Sequence, residues 1–309
     1  MRLIFFGTPE FAVPTLVRLA SEHEIAAVVS QPDRPSGRGR RVSPSPVSAA
    51  AVERGLALLR PERVGAPEVV AALRAAAPDL GVVVAFGQFL PRPVRELSRE
   101  GYLVNGHASV LPRHRGAAPI ARALLAGDRE TGISVMRVER EMDAGPVALV
   151  RTTAIAPDED AGQLTVRLAA LCADAIADAL AEIESGSVRW TGQDHARATL
   201  APKIEAAELA IDWREPAAAI ARRVRAFAPV PGARTELRGE PLRILAARAE
   251  AGLADPTPGT ARVRENRLRV ATGDGWLVPE RVQRAGGNPL EIAAFVRGRP
   301  ISDGERLGR

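Results

Sequence analysis

The segment Leu80-Gly-Val-Val-Val-Ala-Phe86 is a short, continuous apolar run that decides the expected fold. Similar apolar runs occur at 3–6, 25–29, 102–104 and 133–138, and Ala-rich stretches such as 67–77 and 120–126 alternate with them. Continuous apolar strands without period-two alternation are typical of a parallel sheet that is covered on both faces. The alternation predicts an α/β fold with a doubly wound, mostly parallel sheet over residues 1 to about 200.

After Lys203 the sequence changes character. Ile220, Val224 and Phe227 form an apolar stripe at helical spacing, and prolines follow it at once. Short strand candidates then recur at 241–246, 260–263, 267–272 and 276–282, separated by turn signals. Several short strands at this spacing predict a small β-barrel, which we expect to be of the oligonucleotide-binding (OB) type. We therefore divide the chain into residues 1–203 and residues 204–309.

The composition predicts a two-domain cytoplasmic protein. With 309 residues and 46% hydrophobic side chains, the chain can build two cores. The first apolar run is too short for the core of a signal peptide, and no segment approaches the roughly 20 apolar residues that cross a bilayer. Cys172 is the single cysteine and lies in an Ala-rich helical pattern, so we interpret it as a buried helix residue.

The charge is unevenly distributed along the chain. Residues 206–309 carry 18 arginines against 13 acidic residues, a surplus of 5 that equals the net charge of the whole chain. A basic C-terminal region favours a polyanionic partner, of which nucleic acid is the commonest. The competing interpretation is a compositional bias, since Lys203 is the only lysine in an Ala- and Arg-rich sequence.

An arginine-rich loop interrupts the first predicted domain. The segment 31–47 contains four arginines between prolines and glycines, including Arg38, Arg40 and Arg41. It cannot form a helix, it is too polar for a core, and it is longer than most connections in a compact α/β domain. We expect these arginines to contact phosphates, with a merely solvated surface loop as the alternative.

Candidate catalytic residues lie in Asn105-Gly-His107 and in Met142-Asp143-Ala-Gly145. Asn105 and His107 follow an apolar run, so they should lie at the carboxyl end of a strand, the edge at which α/β sheets bind ligands. An amide can donate to an oxyanion, an imidazole can transfer a proton near neutral pH, and a carboxylate can orient the imidazole. None of the three is an obvious nucleophile, so direct acyl transfer between two bound substrates is favoured.

Two other kinds of site are not supported by the sequence. The segment Gly7-Thr-Pro-Glu10 has one glycine where a dinucleotide fingerprint would have three, which argues against an NAD-binding site. We expect Gly7 to form a tight strand-to-helix turn instead. The four histidines are scattered without metal-ligand spacing, so we expect no metal.

Several long motifs in order resemble the methionyl-tRNA formyltransferase family, within the wider group that uses 10-formyltetrahydrofolate. The matching segments cover nearly the whole chain and lie at 6–11, 31–39, 44–47, 84–91, 105–120, 142–145 and 225–232. The resemblance implies a Rossmann-like formyltransferase domain and formyl transfer from 10-formyltetrahydrofolate to the α-amino group of initiator methionyl-tRNA. It also implies initiator tRNA and folate as partners, and we expect a monomer that binds no membrane.

Site residues carried over from the resemblance agree with the physical interpretation. Asn105, His107 and Asp143 are implied as catalytic, with either His107 or Asp143 as the general base. The segment Ser109-Val110-Leu111-Pro112 is implied to line the folate site. The loop with Arg38, Arg40 and Arg41 is implied to contact the acceptor stem of the tRNA.

The sequence departs from the family pattern at Phe86, at Ala228 and at the turn 286–288, where the family usually has lysines. A hypothesis follows in which nearby arginines replace the missing phosphate contacts, namely Arg281, Arg284, Arg297 and Arg299. Three alternative functions remain open: formylation of an amino sugar nucleotide, hydrolysis of formyl-folate, and a catalytically idle tRNA-binding protein.

Overall fold

The computed structural model describes residues 1–36, 41–253, 255 and 257–308 of the chain. It divides into two compact units by internal contacts. The first comprises residues 1–119, 130–154 and 165–201, and the second comprises residues 120–129, 155–164 and 202–309. Within the described residues, no helix has the length and apolar character needed to cross a membrane.

The elements up to residue 203 follow the predicted α/β pattern in part. The strands are β1 (Arg2–Gly7), β2 (Glu24–Val29), β3 (Arg34–Ser36), β4 (Arg41–Ser43), β5 (Leu58–Leu59), β6 (Leu80–Val84), β7 (Leu103–His107), β8 (Glu130–Arg137) and β9 (Val147–Ala154). The helices are α1 (Val13–Glu22), α2 (Pro46–Glu53), α3 (Pro67–Ala75), α4 (Arg92–Arg95), α5 (Pro119–Ala126) and α6 (Ala161–Glu184). Most of these strands are followed by a helix, but β2, β3 and β4 follow one another directly, as do β8 and β9.

Seven of these strands form one sheet in the order β5-β2-β1-β6-β7-β8-β9. The strands from β5 to β7 are parallel, which confirms the prediction of a mostly parallel sheet, and most of their apolar side chains are buried. The chain builds outward from β1 in one direction and then returns to its other side with β6. The carboxyl ends of β1 and β6 therefore form a topological switch point, the usual ligand position in such sheets.

The far edge of the sheet differs from the predicted βαβ pattern. β8, which contains most of the apolar run at 133–138, is antiparallel to both β7 and β9. β9 was not anticipated, because Arg151, Thr152 and Thr153 make it a polar edge strand without a continuous apolar run. The antiparallel β8 passes directly beside the end of β7, and it pairs Ser134 with His107 and Met136 with Asn105.

Gly7 is the last residue of β1 and is closely packed. A Cβ atom at this position would lie 2.7 Å from the Phe5 ring and 3.1 Å from the Val84 carbonyl oxygen. The glycine therefore has a structural role, as expected from the sequence, but the reason found is packing against adjacent groups rather than the tight turn that was predicted.

The second unit contains an antiparallel sheet. Its strands are β10 (Ala233–Leu237), β11 (Glu240–Glu250), β12 (Ala261–Arg264), β13 (Arg267–Ala271), β14 (Trp276–Arg284) and β15 (Pro289–Glu291), and its helices include α7 (Ala217–Phe227) and α8 (Ile292–Gly298). The four strand candidates correspond to β11, β12, β13 and β14, whereas β10, β15 and α8 were not anticipated. The strand order is β10-β11-β14-β13-β12, with β15 on β14.

The segment 304–308 closes this sheet into a barrel. Leu307 pairs with Leu237 of β10, and Arg306 pairs with Thr260 just before β12. One chain segment therefore hydrogen-bonds to both edge strands, which removes exposed edges and agrees with the predicted small barrel.

Helix α7 confirms the predicted apolar stripe. Ile220, Val224 and Phe227 are almost fully buried. The helix begins after Pro216, and the free N–H of Ala217 donates to the Asp274 carboxylate at 2.8 Å. This cap comes from the turn before β14, 57 residues along the chain, so the sequence near the helix start does not reveal it.

Candidate active site

Asn105 and His107 project from one face of β7 at its carboxyl end. They are two residues apart on a strand, so their side chains share a face and the intervening residue points the other way. Asn105 is half-buried, and no side-chain hydrogen bond within the described part of the chain engages its carboxamide. Its N–H groups are therefore available to a ligand.

Gly106 lies against helix α6 on the opposite face of β7. A Cβ atom on Gly106 would lie 2.5 Å from the Cys172 sulfur and 2.8 Å from the Ile176 Cδ1 atom. The glycine lets the helix approach the strand closely, and this contact fixes the backbone that carries both polar side chains. Its place between Asn105 and His107 is therefore a packing requirement.

Substituting Gly106 with alanine is expected to destabilise the protein by about 1–3 kcal/mol, because the added methyl group overpacks the contact with α6. The measurement is the free energy of unfolding in denaturant. Gly298→Ala is the control, since a Cβ there meets no atom within 4 Å. A Gly106→Ala variant as stable as Gly298→Ala would contradict the packing argument, whereas added Cys172→Ala should restore part of the loss.

The orientation of the His107 ring is set by a buried hydrogen bond. His107 is 6% exposed, and its Nε2 atom lies 2.8 Å from the carbonyl oxygen of His114. A carbonyl oxygen only accepts, so Nε2 must carry a proton and donate it. The neutral ring therefore has its lone pair on Nδ1, and Nδ1 is the nitrogen that can exchange a proton with a ligand.

Asp143 faces this nitrogen. Its Oδ2 atom lies 3.5 Å from His107 Nδ1 and accepts the Gly116 N–H at 2.9 Å. Asp143 has a φ of 51°, in the left-handed region that few residues other than glycine adopt. The two acceptors face each other across this distance, so the geometry suits a pair that can take up and pass on a proton.

The segment 109–112 forms a tightly held loop beside this pair. The Ser109 hydroxyl is fully buried and donates to the Arg113 carbonyl at 2.6 Å. Ser134 anchors the loop from β8, because its hydroxyl donates to the Ser109 carbonyl and accepts the Leu111 N–H. Leu111 is buried, so Val110 and Pro112 are the two side chains of this segment with accessible surface.

Three strand ends are joined near the switch point by the carbonyl of Phe86 and by Thr8 and Gln31, two residues to which the sequence reasoning gave no role. The Phe86 carbonyl accepts the Thr8 hydroxyl at 2.9 Å and the Gln31 amide at 3.2 Å. The Phe86 ring is buried edge-to-face against Phe6. Thr8 and Gln31 each follow a strand, so their position at the carboxyl edge was the available signal.

Gln193 is a further residue that the sequence reasoning missed. Its carboxamide accepts two hydrogen bonds from the Arg115 guanidinium and donates to the carbonyl groups of Asp143 and Gly145. It follows α6 in a polar segment without periodicity, 50 residues after Asp143. Nothing in the local sequence indicates this contact.

The remaining predicted residues have different outcomes. Arg38 and Arg40 lie outside the described residues, and Arg41 belongs to β4, which pairs with β3 as a short antiparallel ladder. Cys172 is buried in α6, and burial raises the pKa of its thiol to about 12. It is therefore a thiol at neutral pH, in agreement with its interpretation as a buried helix residue.

Of the four C-terminal arginines in the phosphate hypothesis, two already share one acidic partner. Arg284 and Arg299 both contact Glu240, and the hydrogen bonds from Arg299 lower the pKa of that carboxyl group to about 2. Arg281 lies 4.0 Å from Asp160, and Arg297 is exposed. Any phosphate contact by Arg284 or Arg299 would compete with Glu240.

Comparison with known proteins identifies the family. A formyl transferase model matches residues 1–180, and a model of the formyl transferase C-terminal domain matches residues 203–300. The chain belongs to the formyl transferase family. The catalytic candidates Asn105, His107 and Asp143 all lie in the segment matched by the first model.

Similar formyl transferases match the chain along its full length. A methionyl-tRNA formyltransferase of Roseiflexus castenholzii is 45% identical, covering 100% of this chain and 99% of the relative. Another of Halorhodospira halophila is 48% identical, covering 98% of each chain.

Solved structures show the same fold at lower sequence identity. HypX of Aquifex aeolicus in complex with tetrahydrofolic acid has a TM-score of 0.63 at 20% identity, covering 96% of this chain and 47% of that chain. An N-formyltransferase of Helicobacter canadensis in complex with folinic acid and dTDP-3-aminofucose has a TM-score of 0.66 at 13% identity, covering 90% and 98%.

Proposed function

We propose that this formyl transferase moves a formyl group from 10-formyltetrahydrofolate to the α-amino group of methionyl initiator tRNA. The observation that carries the proposal is the available Asn105 carboxamide beside the His107–Asp143 pair at the end of β7. The names of relatives that are 45% and 48% identical over nearly the whole chain support this acceptor.

The residues around the pair fit a folate co-substrate. The unused donors of Asn105 suit a formyl oxygen, and the loop 109–112 offers the partly accessible Val110 and Pro112 beside them. Because the Ser109 hydroxyl is used inside the loop, we assign Ser109 and Leu111 a role in shaping this wall rather than side-chain contact with folate. The co-substrate supplies the activated formyl carbon when bound.

Asn105 stabilises the negative charge that forms when the amine attacks that carbon. The new C–N bond pushes electrons onto the formyl oxygen, and a positioned N–H donor lowers the energy of this oxyanion. When the carbonyl re-forms, the bond to the folate nitrogen breaks. The carboxamide needs no rearrangement, because no protein group among the described residues occupies its N–H groups.

The His107–Asp143 pair moves the protons. An α-amino group has a pKa of about 8, so a modest base suffices to keep the attacking amine neutral. Since Nε2 of His107 donates to a backbone carbonyl, Nδ1 and the Asp143 carboxylate are the groups of the pair that can take up a proton. The pair, rather than either residue alone, takes the amine proton and returns one to the departing folate nitrogen.

Two regions outside the catalytic residues are proposed to recognise the tRNA. We assign residues 1–203 to formyl transfer and residues 204–309 to tRNA binding, with Arg38, Arg40 and Arg41 at the acceptor stem. Two features of the C-terminal third support this assignment. It holds the whole net positive charge of the chain, and it forms a small barrel. The substrate places the enzyme in the cytoplasm, where translation begins.

The test incubates the purified protein with 10-formyltetrahydrofolate and either initiator or elongator tRNA charged with methionine. We expect formyl-methionine on the initiator tRNA alone. Transfer to both tRNAs would leave the chemistry intact and contradict initiator selectivity. Consumption of the folate without transfer to either would contradict the acceptor and favour hydrolysis.

A further inference from the structure

The Gln193 carboxamide uses all of its hydrogen-bonding capacity on two segments of the candidate active site. Its Oε1 atom accepts from Nε and one terminal nitrogen of Arg115 at 3.1 and 2.8 Å. Its Nε2 atom donates to the carbonyl oxygens of Asp143 at 2.9 Å and Gly145 at 2.7 Å. An amide has two acceptor sites and two donors, so this side chain is saturated.

These contacts close a ring around Asp143. The Arg115 guanidinium binds Gln193, Gln193 binds the Asp143 backbone, and the Asp143 carboxylate accepts the N–H of Gly116, the residue after Arg115. Arg115 is 5% exposed, so its position is also restricted by packing. The ring thereby fixes both the backbone and the carboxylate of one residue.

Asp143 needs such support because of its backbone conformation. A φ of 51° costs a residue with a side chain about 1 kcal/mol or more, so surrounding contacts must hold it. Gly145 allows the chain to turn close to β8, since a Cβ atom at this position would lie 2.0 Å from the Arg137 carbonyl oxygen. The Gln193 amide group donates to the carbonyls of Asp143 and Gly145, on either side of Ala144, and we call this pair of hydrogen bonds the clamp.

We propose that Gln193 is a positioning residue for the formyl transfer, acting through Asp143. Its two donors hold segment 143–145 so that the Asp143 carboxylate faces His107 Nδ1. This inference rests on the proposed function. Gln193 lies in an irregular segment and keeps the proton-transfer pair aligned before substrates bind.

Two substitutions separate the donor half of Gln193 from its acceptor half. Gln193→Glu keeps the oxygen that accepts both hydrogen bonds from Arg115 and strengthens them with charge, but it places its second oxygen against two carbonyl oxygens. Gln193→Met has nearly the same length and loses both halves. If the clamp on segment 143–145 matters, the two variants should lose similar activity.

The experiment measures formylation of methionyl initiator tRNA for the wild type and both variants. We expect kcat to fall about 10- to 100-fold, because misplacement of a catalytic group by about 1 Å has effects of this size. KM for both substrates should change little, since no substrate contact is removed. The pH at which kcat/KM reaches half its maximum should also move, because the environment of the proton-transfer pair changes.

Gln88→Glu is the matched control. Gln88 is another half-buried glutamine that bridges a loop, donating to the Pro61 carbonyl and accepting the Val64 N–H. It should leave kcat and the pH profile unchanged even if its melting temperature falls. A loss caused only by reduced folding would instead lower the active fraction of all three variants in proportion to their stability.

The outcomes distinguish the inference from the function on which it rests. Normal kcat in both Gln193 variants, with formyl transfer by the wild type, would overturn the positioning role alone. Normal kcat in Gln193→Glu with a low value in Gln193→Met would move the effect to Arg115 and overturn the clamp. No formyl transfer by the wild type would overturn both proposals.

Discussion

Asn105→Ala is expected to lower kcat for formyl transfer about 10²- to 10³-fold, because it removes the donor to the developing oxyanion. The residue is half-buried at the end of β7, and its carboxamide has no hydrogen bond to the described part of the chain. Binding of tRNA should persist, since the substitution leaves the basic surfaces unchanged. The measurement is the single-turnover rate with saturating substrates.

Asn105→Asp is the companion variant, because it preserves the shape of the side chain and replaces its donor with a negative charge. It should be slower than Asn105→Ala, since the carboxylate repels the oxyanion that the amide stabilises. Thermal unfolding of both variants checks that the strand remains intact. Turnover within about threefold of the wild type in either variant would remove Asn105 from the mechanism.

Asp143→Asn is expected to lower kcat about 10²- to 10⁴-fold, the range typical for loss of acid–base catalysis. An asparagine can still accept the Gly116 N–H, and it tolerates the left-handed φ of this position. The oxygen that accepts this N–H is also the one that faces His107 Nδ1, and as an uncharged amide oxygen it can no longer take up a proton. We expect the fold to be retained while kcat falls.

The control for this charge removal is Asp174→Asn. Asp174 is 58% exposed and contacts Arg18 at 3.4 Å, and an exposed ion pair contributes about 0–1 kcal/mol. We expect wild-type kinetics from it. If Asp143→Asn kept both its rate and its pH profile, His107 would have to act alone, and the proposed pair would be wrong.

Local patterns predicted those parts of the fold whose side chains are buried in a regular period. The parallel strands and the stripe at Ile220, Val224 and Phe227 follow from that rule, and each is confirmed. The edge strand β9 was missed, because a half-exposed strand needs no continuous apolar run. The closure of the barrel by residues 304–308 was also missed, since it consists of backbone pairing between distant segments.

In the candidate site, too, only the features with a local sequence signal could be predicted. Asn105 and His107 could be placed at a strand end from sequence, because apolar residues immediately precede them and a loop follows. Two features had no local signal: the ring nitrogen of His107 that carries the proton, and the orientation of Asp143. The first depends on the carbonyl of His114 and the second on Gly116 and Gln193.

The sequence by itself determined the α/β class, the small C-terminal barrel and the chemical groups available for catalysis, because these depend on side-chain type and short-range spacing. Only the tertiary structure decided which nitrogen of His107 can exchange a proton, why Gly106 separates the two polar residues, and which distant glutamine holds Asp143. Hydrogen bonds and close packing act over a few ångströms in space, whatever the separation along the chain. Folding is what brings Gln193 to Asp143, 50 residues away.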